Sequence, residues 1–180
     1  MTKKLSIYST LSILMCSLLF SCGSSKGGAK LYDPREVADI SRKLQIPLSN
    51  KDKDDDKNIP LYAEVSLWLG APYRYGGMTK RGTDCSGFTM QVYHKVYGIK
   101  LPRSTQGLAK AKYKNVAKRN LYAGDIILFA TGKNKRTVTH AGIYLKEGKF
   151  IHASTSRGVM VNHVDDNYYK KAWVKAIRVK

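Results

Sequence analysis

The stretch RGTDCSGFTMQVYHKVYG, Arg81–Gly98, turns from a glycine-broken loop into a helix at its one cysteine. Asp84 suits the N-cap, and Phe88, Val92 and Val96 recur at helical spacing, so the helix buries that face until Gly98 ends it. Cys85 then occupies the first turn. Backbone N–H groups there are unpaired and the helix dipole favours negative charge. A thiol so placed suits a nucleophile, and the expectation is a thiolate that forms below the ordinary cysteine range. The competing reading is a small buried hydrophobe.

The other two cysteines belong to the start of the chain. Lys3 and Lys4 precede an apolar run, broadly 7–20, that closes in LLFSC. This reads as a signal peptide over residues 1–21, too short and serine-rich for a membrane span. LFSC is similar to a bacterial lipobox, which makes Cys22 a lipidation site and GSSKGG a flexible tether. Removing the leader takes Cys16 with it. No disulfide partner remains for Cys85, and an unpaired thiol in an exported protein is a candidate nucleophile.

The formal charge is +19, from 32 basic and 13 acidic residues. For an envelope protein this excludes nucleic acid as the natural partner and favours anionic wall peptides and lipid headgroups. Residues 34–44 read as a short helix capped by Asp33, with Val37, Ile40 and Leu44 on one stripe. SNKDKDDDKN, Ser49–Asn58, reads as a solvated linker. One domain is expected over 59–180, and residues 22–58 serve as tether, helix and linker. From Asp125 onward DIILFA, HAGIYL, KFIHAS, GVMVNHV and WVKAIRV are short strands, with a helical turn at DDNYYKKA. Helices first and an antiparallel sheet after give an α+β fold.

A cysteine nucleophile needs a base. His94 lies about 13 Å along the helix from Cys85 and half a turn round it. His163 sits at a strand end. His140 and His152 remain, in THAGIYLKEGKFIHAS. A two-residue turn would put them on opposite faces of a hairpin. A three-residue loop, Lys146–Gly148, pairs Leu145 with Lys149 and puts both on one face, with Gly142 leaving space between them. Ala141, Ile143, Leu145, Ile151 and Ala153 then share the opposite, core face. In that register one imidazole can orient the other.

YRYGG, DCSGF, LPRST, GDIILF, HAGIY and FIHAS, in that order, resemble the NlpC-type cysteine peptidases of bacterial cell walls, most of all their Spr/MepS-like murein endopeptidase branch of lipoproteins. The resemblance implies a papain-like fold, with Cys85 as nucleophile, His140 as base and His152 as the orienting third residue. It also implies substrate or oxyanion roles for Tyr73, Asp84, Ser86 and Ser104, no cofactor and no metal. The implied activity is hydrolysis of stem-peptide or cross-link amides, D-Ala–diaminopimelate ahead of D-Glu–diaminopimelate. Relatives that cut after a free N-terminal L-Ala carry an added SH3-like domain, for which the sequence upstream leaves no room. The expected state is a monomer, lipid-anchored in the outer membrane facing the periplasm, with peptidoglycan stem peptides as partners. A non-catalytic wall-binding lipoprotein and an acyltransferase with the same Cys/His pair are the alternatives. A metal site from the same side chains lacks zinc spacing.

Overall fold

The computed structural model describes residues 32–49 and 52–180. The leader, Cys22 and the Gly/Ser tether lie outside the described residues. Helix α1 (Pro34–Leu44) follows its Asp33 cap and buries Val37, Ile40 and Leu44. Helix α2 (Lys53–Ser66) packs on α1. A loop carrying a two-residue hairpin, β1 (Met78–Thr79) and β2 (Gly82–Thr83), leads into α3 (Cys85–Tyr97). Helix α4 (Thr105–Lys110) is capped by Ser104. There follow β3 (Lys114–Val116), β4 (Ile126–Phe129), β5 (His140–Tyr144), β6 (Lys149–Ser154), β7 (Gly158–His163), α5 (Asn167–Ala172) and β8 (Trp173–Arg178). The six longer strands form one antiparallel sheet in the order β3-β8-β4-β5-β6-β7.

Strand alternation sorts the sheet into two buried faces. One carries Ile126, Leu128, Ala141, Ile143, Ile151 and Ala153, packed in one core with Phe88 and Val92 of α3. The other carries Ile127, Phe129, Phe150 and Ala176 under Tyr169 and Trp173. The β5–β6 register pairs Ile143 with Ile151 and Tyr144 with Phe150, as the three-residue loop requires. Leu145 N–H donates to the Lys149 carbonyl at 2.9 Å, and Lys149 N–H to that of Lys146 at 2.9 Å. Gly148 is left-handed at φ 74°, and Glu147 joins it at φ 49°. One detail differs from the sequence reading. The space over Gly142 is filled by Phe150, whose ring stands 2.7 Å from where a Cβ would be.

The stretch 49–58 corrects the sequence reading more substantially. Most of it is the start of α2, which packs on α1. Asp52 caps the helix through the N–H of Asp54, and the acids of the first turn suit its dipole. Asp55 and Asn58 are only 2% and 4% exposed. Asp55 receives the Lys146 ammonium at 2.7 and 2.8 Å and the Ser49 N–H at 3.0 Å. Composition reads charges as solvated; this one is neutralised by a partner 91 residues away. Pro60 misleads in the same way. It suits a first turn, yet it sits inside α2, where it removes one backbone hydrogen bond.

Replacing Asp55 by Ala leaves Lys146 without its buried partner. Because Lys146 is partly exposed and can turn to water, the expected loss is about 2 kcal/mol, read as a lower urea midpoint. The double variant Asp55→Ala/Lys146→Ala should cost less than the two single changes added together.

Candidate active site

Asp84 accepts the N–H of Gly87 at 2.6 Å through Oδ1 and that of Gly76 at 2.8 Å through Oδ2. Arg103 grips both carboxylate oxygens, at 2.9 and 2.7 Å, and also donates to Ser86 Oγ at 3.0 Å. Ser86 in turn donates to Asp84 at 3.1 Å. Burial alone would raise the Asp84 carboxyl, but Arg103 and the two backbone amides outweigh it and hold it below the usual range. Arg103 is a member of this cluster that sequence reading missed. Its partner lies 19 residues upstream, and no periodicity links the two. At Gly87 a Cβ would collide with the Gly77 carbonyl, so glycine lets the loop close onto the helix start.

Cys85 is 6% exposed at the start of α3. The backbone N–H groups of Ala141, the residue after His140, and of Ser86 and Cys85 itself favour its thiolate form. The helix start and strand β5 therefore meet at the thiol. His140 and His152 are buried, and His140 Nε2 lies 2.9 Å from His152 Nδ1. Phe150 stacks on His152 with ring centres 5.0 Å apart.

Beyond His152 the chain of contacts fixes the ring protons. Asp166 Oδ2, a carboxylate oxygen, can only accept, so the Asn162 atom 2.9 Å from it is the amide nitrogen. Asn162 Oδ1 then faces His152 Nε2 at 3.0 Å and calls for a proton there. His152 Nδ1 is left as acceptor, which puts the His140 proton on Nε2 and leaves Nδ1 of His140 with a free lone pair. The Tyr169 hydroxyl, 3.0 Å from His152 Nε2, can turn to suit. Asn162, Asp166 and Tyr169 escaped sequence reading because they reach His152 from β7 and α5 only once the sheet is assembled. His163 sits at the end of β7 and His94 on α3, and neither imidazole takes part in this chain of contacts.

A groove of about 500 Å³ opens on the Cys85 side. Tyr73, Asp84, Cys85, Ser86, Arg103 and Ser104 line it, so the expected substrate positions converge on one wall. Ser104 also caps α4, donating nothing to the groove cluster while its Oγ accepts the Gly107 N–H at 3.0 Å. A second pocket of about 520 Å³ opens on the histidine side and touches both rings. Among the described residues no group of three or more His, Cys, Asp or Glu side chains is placed to hold a metal ion.

Residues 70–178 match the model of the NlpC/P60 family. The chain belongs to that family. It is 34% identical to the murein DD-endopeptidase MepS/murein LD-carboxypeptidase of Escherichia coli over 93% of this chain and 89% of that one. It is 41% identical to the probable endopeptidase NlpC of Escherichia coli over 64% of this chain and 74% of that one. The crystal structure of an NlpC/P60 family protein from Bacillus cereus superposes with a TM-score of 0.60 at 33% identity, covering 66% of this chain and 39% of that one.

The electrostatics of this NlpC/P60 site depart from the sequence expectation of a ready thiolate. Burial pushes the Cys85 thiol above its ordinary value of 9.0, and the Asp84 carboxylate adds to this. The amides of Ala141, Ser86 and Cys85 oppose the shift without cancelling it. Burial, and then His152, push His140 down to about 3. Burial pushes His152 down to about 4, against the hydrogen bond it donates to Asn162. The helix dipole does not outweigh desolvation here, and the resting site holds a neutral thiol beside a neutral imidazole.

A thiol with a raised pKa is protonated throughout the neutral range. Iodoacetamide should therefore modify Cys85 slowly at pH 7, and the rate should keep climbing beyond pH 9. A fast rate that stays flat down to pH 6 would reveal a preformed thiolate–imidazolium pair instead.

Proposed function

We propose that this protein is a peptidoglycan endopeptidase that cleaves the D-Ala–diaminopimelate cross-link by acyl transfer through Cys85. The observation that carries this reading is the meeting of the Cys85 thiol with β5 beside the buried His140–His152 pair, in a chain of the NlpC/P60 family. The relative named a murein DD-endopeptidase supports the choice of bond.

In this reading Cys85 Sγ attacks the scissile carbonyl as its proton passes to His140 Nδ1, the ring nitrogen that His152 leaves free. Transfer during attack suits a resting pair that is neutral. The oxyanion forms at the start of α3, where first-turn backbone N–H groups have no partner within the helix. Tyr73 lines the same groove, and burial, with the charge of Cys85 next, keeps its phenol protonated, so it can donate to that oxygen. The tetrahedral intermediate collapses, and His140 returns the proton to the leaving amine. Water then attacks the thioester with His140 as base, the C–S bond breaks, the sulfur takes the proton back from His140, and the carboxylate product leaves. His152 keeps the His140 ring turned and its Nε2 proton engaged. Asp84 and Ser86 hold the groove wall through Arg103, and Ser104 completes it.

Purified murein should release uncross-linked monomers when digested by the native protein, as read by mass spectrometry. Cys85→Ala, Cys85→Ser and His140→Ala should release none. Asn162→Leu should keep KM and retain about a tenth to a hundredth of kcat, a loss well short of the ~10⁴-fold seen when a triad imidazole is wrongly protonated. Fragments ending at D-Glu would move the assignment to the D-Glu–diaminopimelate bond.

The LLFSC stretch also supports an acyl anchor at Cys22 that tethers the domain to the outer membrane facing the periplasm, with the catalytic unit acting as a monomer. A basic protein adheres to anionic headgroups in a salt-sensitive way, whereas an acyl chain does not. Native protein should stay in the membrane pellet through a high-salt wash, and Cys22→Ala should be released by it. Native protein that washes off would remove the anchor.

A further inference from the structure

The two hollows beside Cys85 and His140 are chemically unequal. One touches Cys85 and neither histidine; the other touches His140 and His152 and not Cys85. In an acyl transfer the acyl half of the substrate stays on the sulfur, while the leaving nitrogen takes its proton from the imidazole. The leaving half therefore belongs in the histidine-side pocket.

That pocket is built on one face of the β6–β7 hairpin. His152 pairs with Met160 and Ser154 with Gly158, so the residues between them form a tight turn at the rim. Arg157 is in that turn and lines the pocket, with Tyr168 and Tyr169 of α5 also among its walls. Among the described residues no carboxylate lies within ion-pair distance of Arg157. Asp166, the acid in the same lining, already accepts from Asn162 and from the His163 N–H at 3.0 Å. The Arg157 charge nonetheless reaches the site, since it adds to the lowering of His152 that burial causes and opposes the rise that burial causes in Tyr169. The pocket thus holds an uncompensated guanidinium beside the imidazole that serves the leaving group.

The candidate bonds differ at just this place. In a D-Ala–diaminopimelate cross-link the carbon bearing the leaving nitrogen also bears a free carboxylate. In a D-Glu–diaminopimelate bond within a tetrapeptide, the carboxyl on that carbon is spent in the amide to D-Ala. A guanidinium matches a free carboxylate with two parallel hydrogen bonds. We propose that Arg157 anchors the carboxylate of the leaving half, so that the histidine-side pocket selects substrates whose leaving amine carries a free acid.

This rests on the peptidase reading, and the two are separable. Native protein, Arg157→Gln and Arg157→Lys are compared on cross-linked murein dimers and on the same dimers amidated at the carboxylate next to the scissile nitrogen. Binding to both dimers is measured by calorimetry with Cys85→Ser and with Cys85→Ser/Arg157→Gln. Arg157→Gln should raise KM on the free-acid dimer by about tenfold with kcat within about twofold, the scale of an exposed charge-assisted contact. Amidation should weaken the native protein by the same factor and leave Arg157→Gln unaffected, and Arg157→Lys should recover part of the loss. An unchanged KM in Arg157→Gln, or an equal loss on both dimers, would overturn the proposal. If the native protein cuts neither dimer, the peptidase reading falls, and the calorimetric comparison still decides whether Arg157 recognises the carboxylate.

Discussion

The register of the β5–β6 hairpin is the constraint on which the site depends. A strand has a period of two, so a one-residue slip of β6 would send His140 and His152 to opposite faces and take Ile151 off the face it shares with Ile143. The loop Lys146–Gly148 prevents the slip, and the helical layer holds the loop. Lys146 is bound by the buried Asp55 of α2, and the Leu145 carbonyl accepts the Tyr62 hydroxyl at 3.4 Å. A charge cluster at the start of one helix thereby helps to set the geometry of a histidine pair far along the chain.

Burial at the site works against charge and in favour of precision. Cys85, His140 and His152 are packed closely enough that each favours its neutral form. In return, the hydrogen-bonded series from His140 through His152 and Asn162 to Asp166 has one consistent arrangement of protons. Asp166 is an acceptor only, and that single asymmetry propagates through an amide and an imidazole to Nδ1 of His140. The site is preorganised for proton transfer without storing a charge in the resting protein.

In the proposed reading two hollows flank the site, an acyl side rich in hydrogen-bonding groups and a leaving side with one unpaired cation. On the acyl side the Asp84–Arg103 pair is satisfied internally and shapes the wall. On the leaving side Arg157 stands in a turn between the strands that carry His152 and Asn162. In that reading the orienting imidazole and the selecting cation are mounted on the same hairpin.

Local patterns in the sequence determined a good deal: the cap–thiol–helix order at Asp84–Cys85, the alternation of the strands, the turn at Gly148 and hence the shared face of His140 and His152. Each depends on residues within a few positions of one another, where backbone geometry limits the choices. The tertiary structure alone decided that Asp55 is buried rather than solvated, that Arg103 clamps Asp84, that Phe150 fills the space over Gly142, and that Asn162 and Asp166 extend the histidine pair. It also decided the charge of Cys85, because a helix start favours a thiolate locally while desolvation is set by everything packed around it. These outcomes turn on partners brought together from distant parts of the chain, and neither periodicity nor composition carries that information.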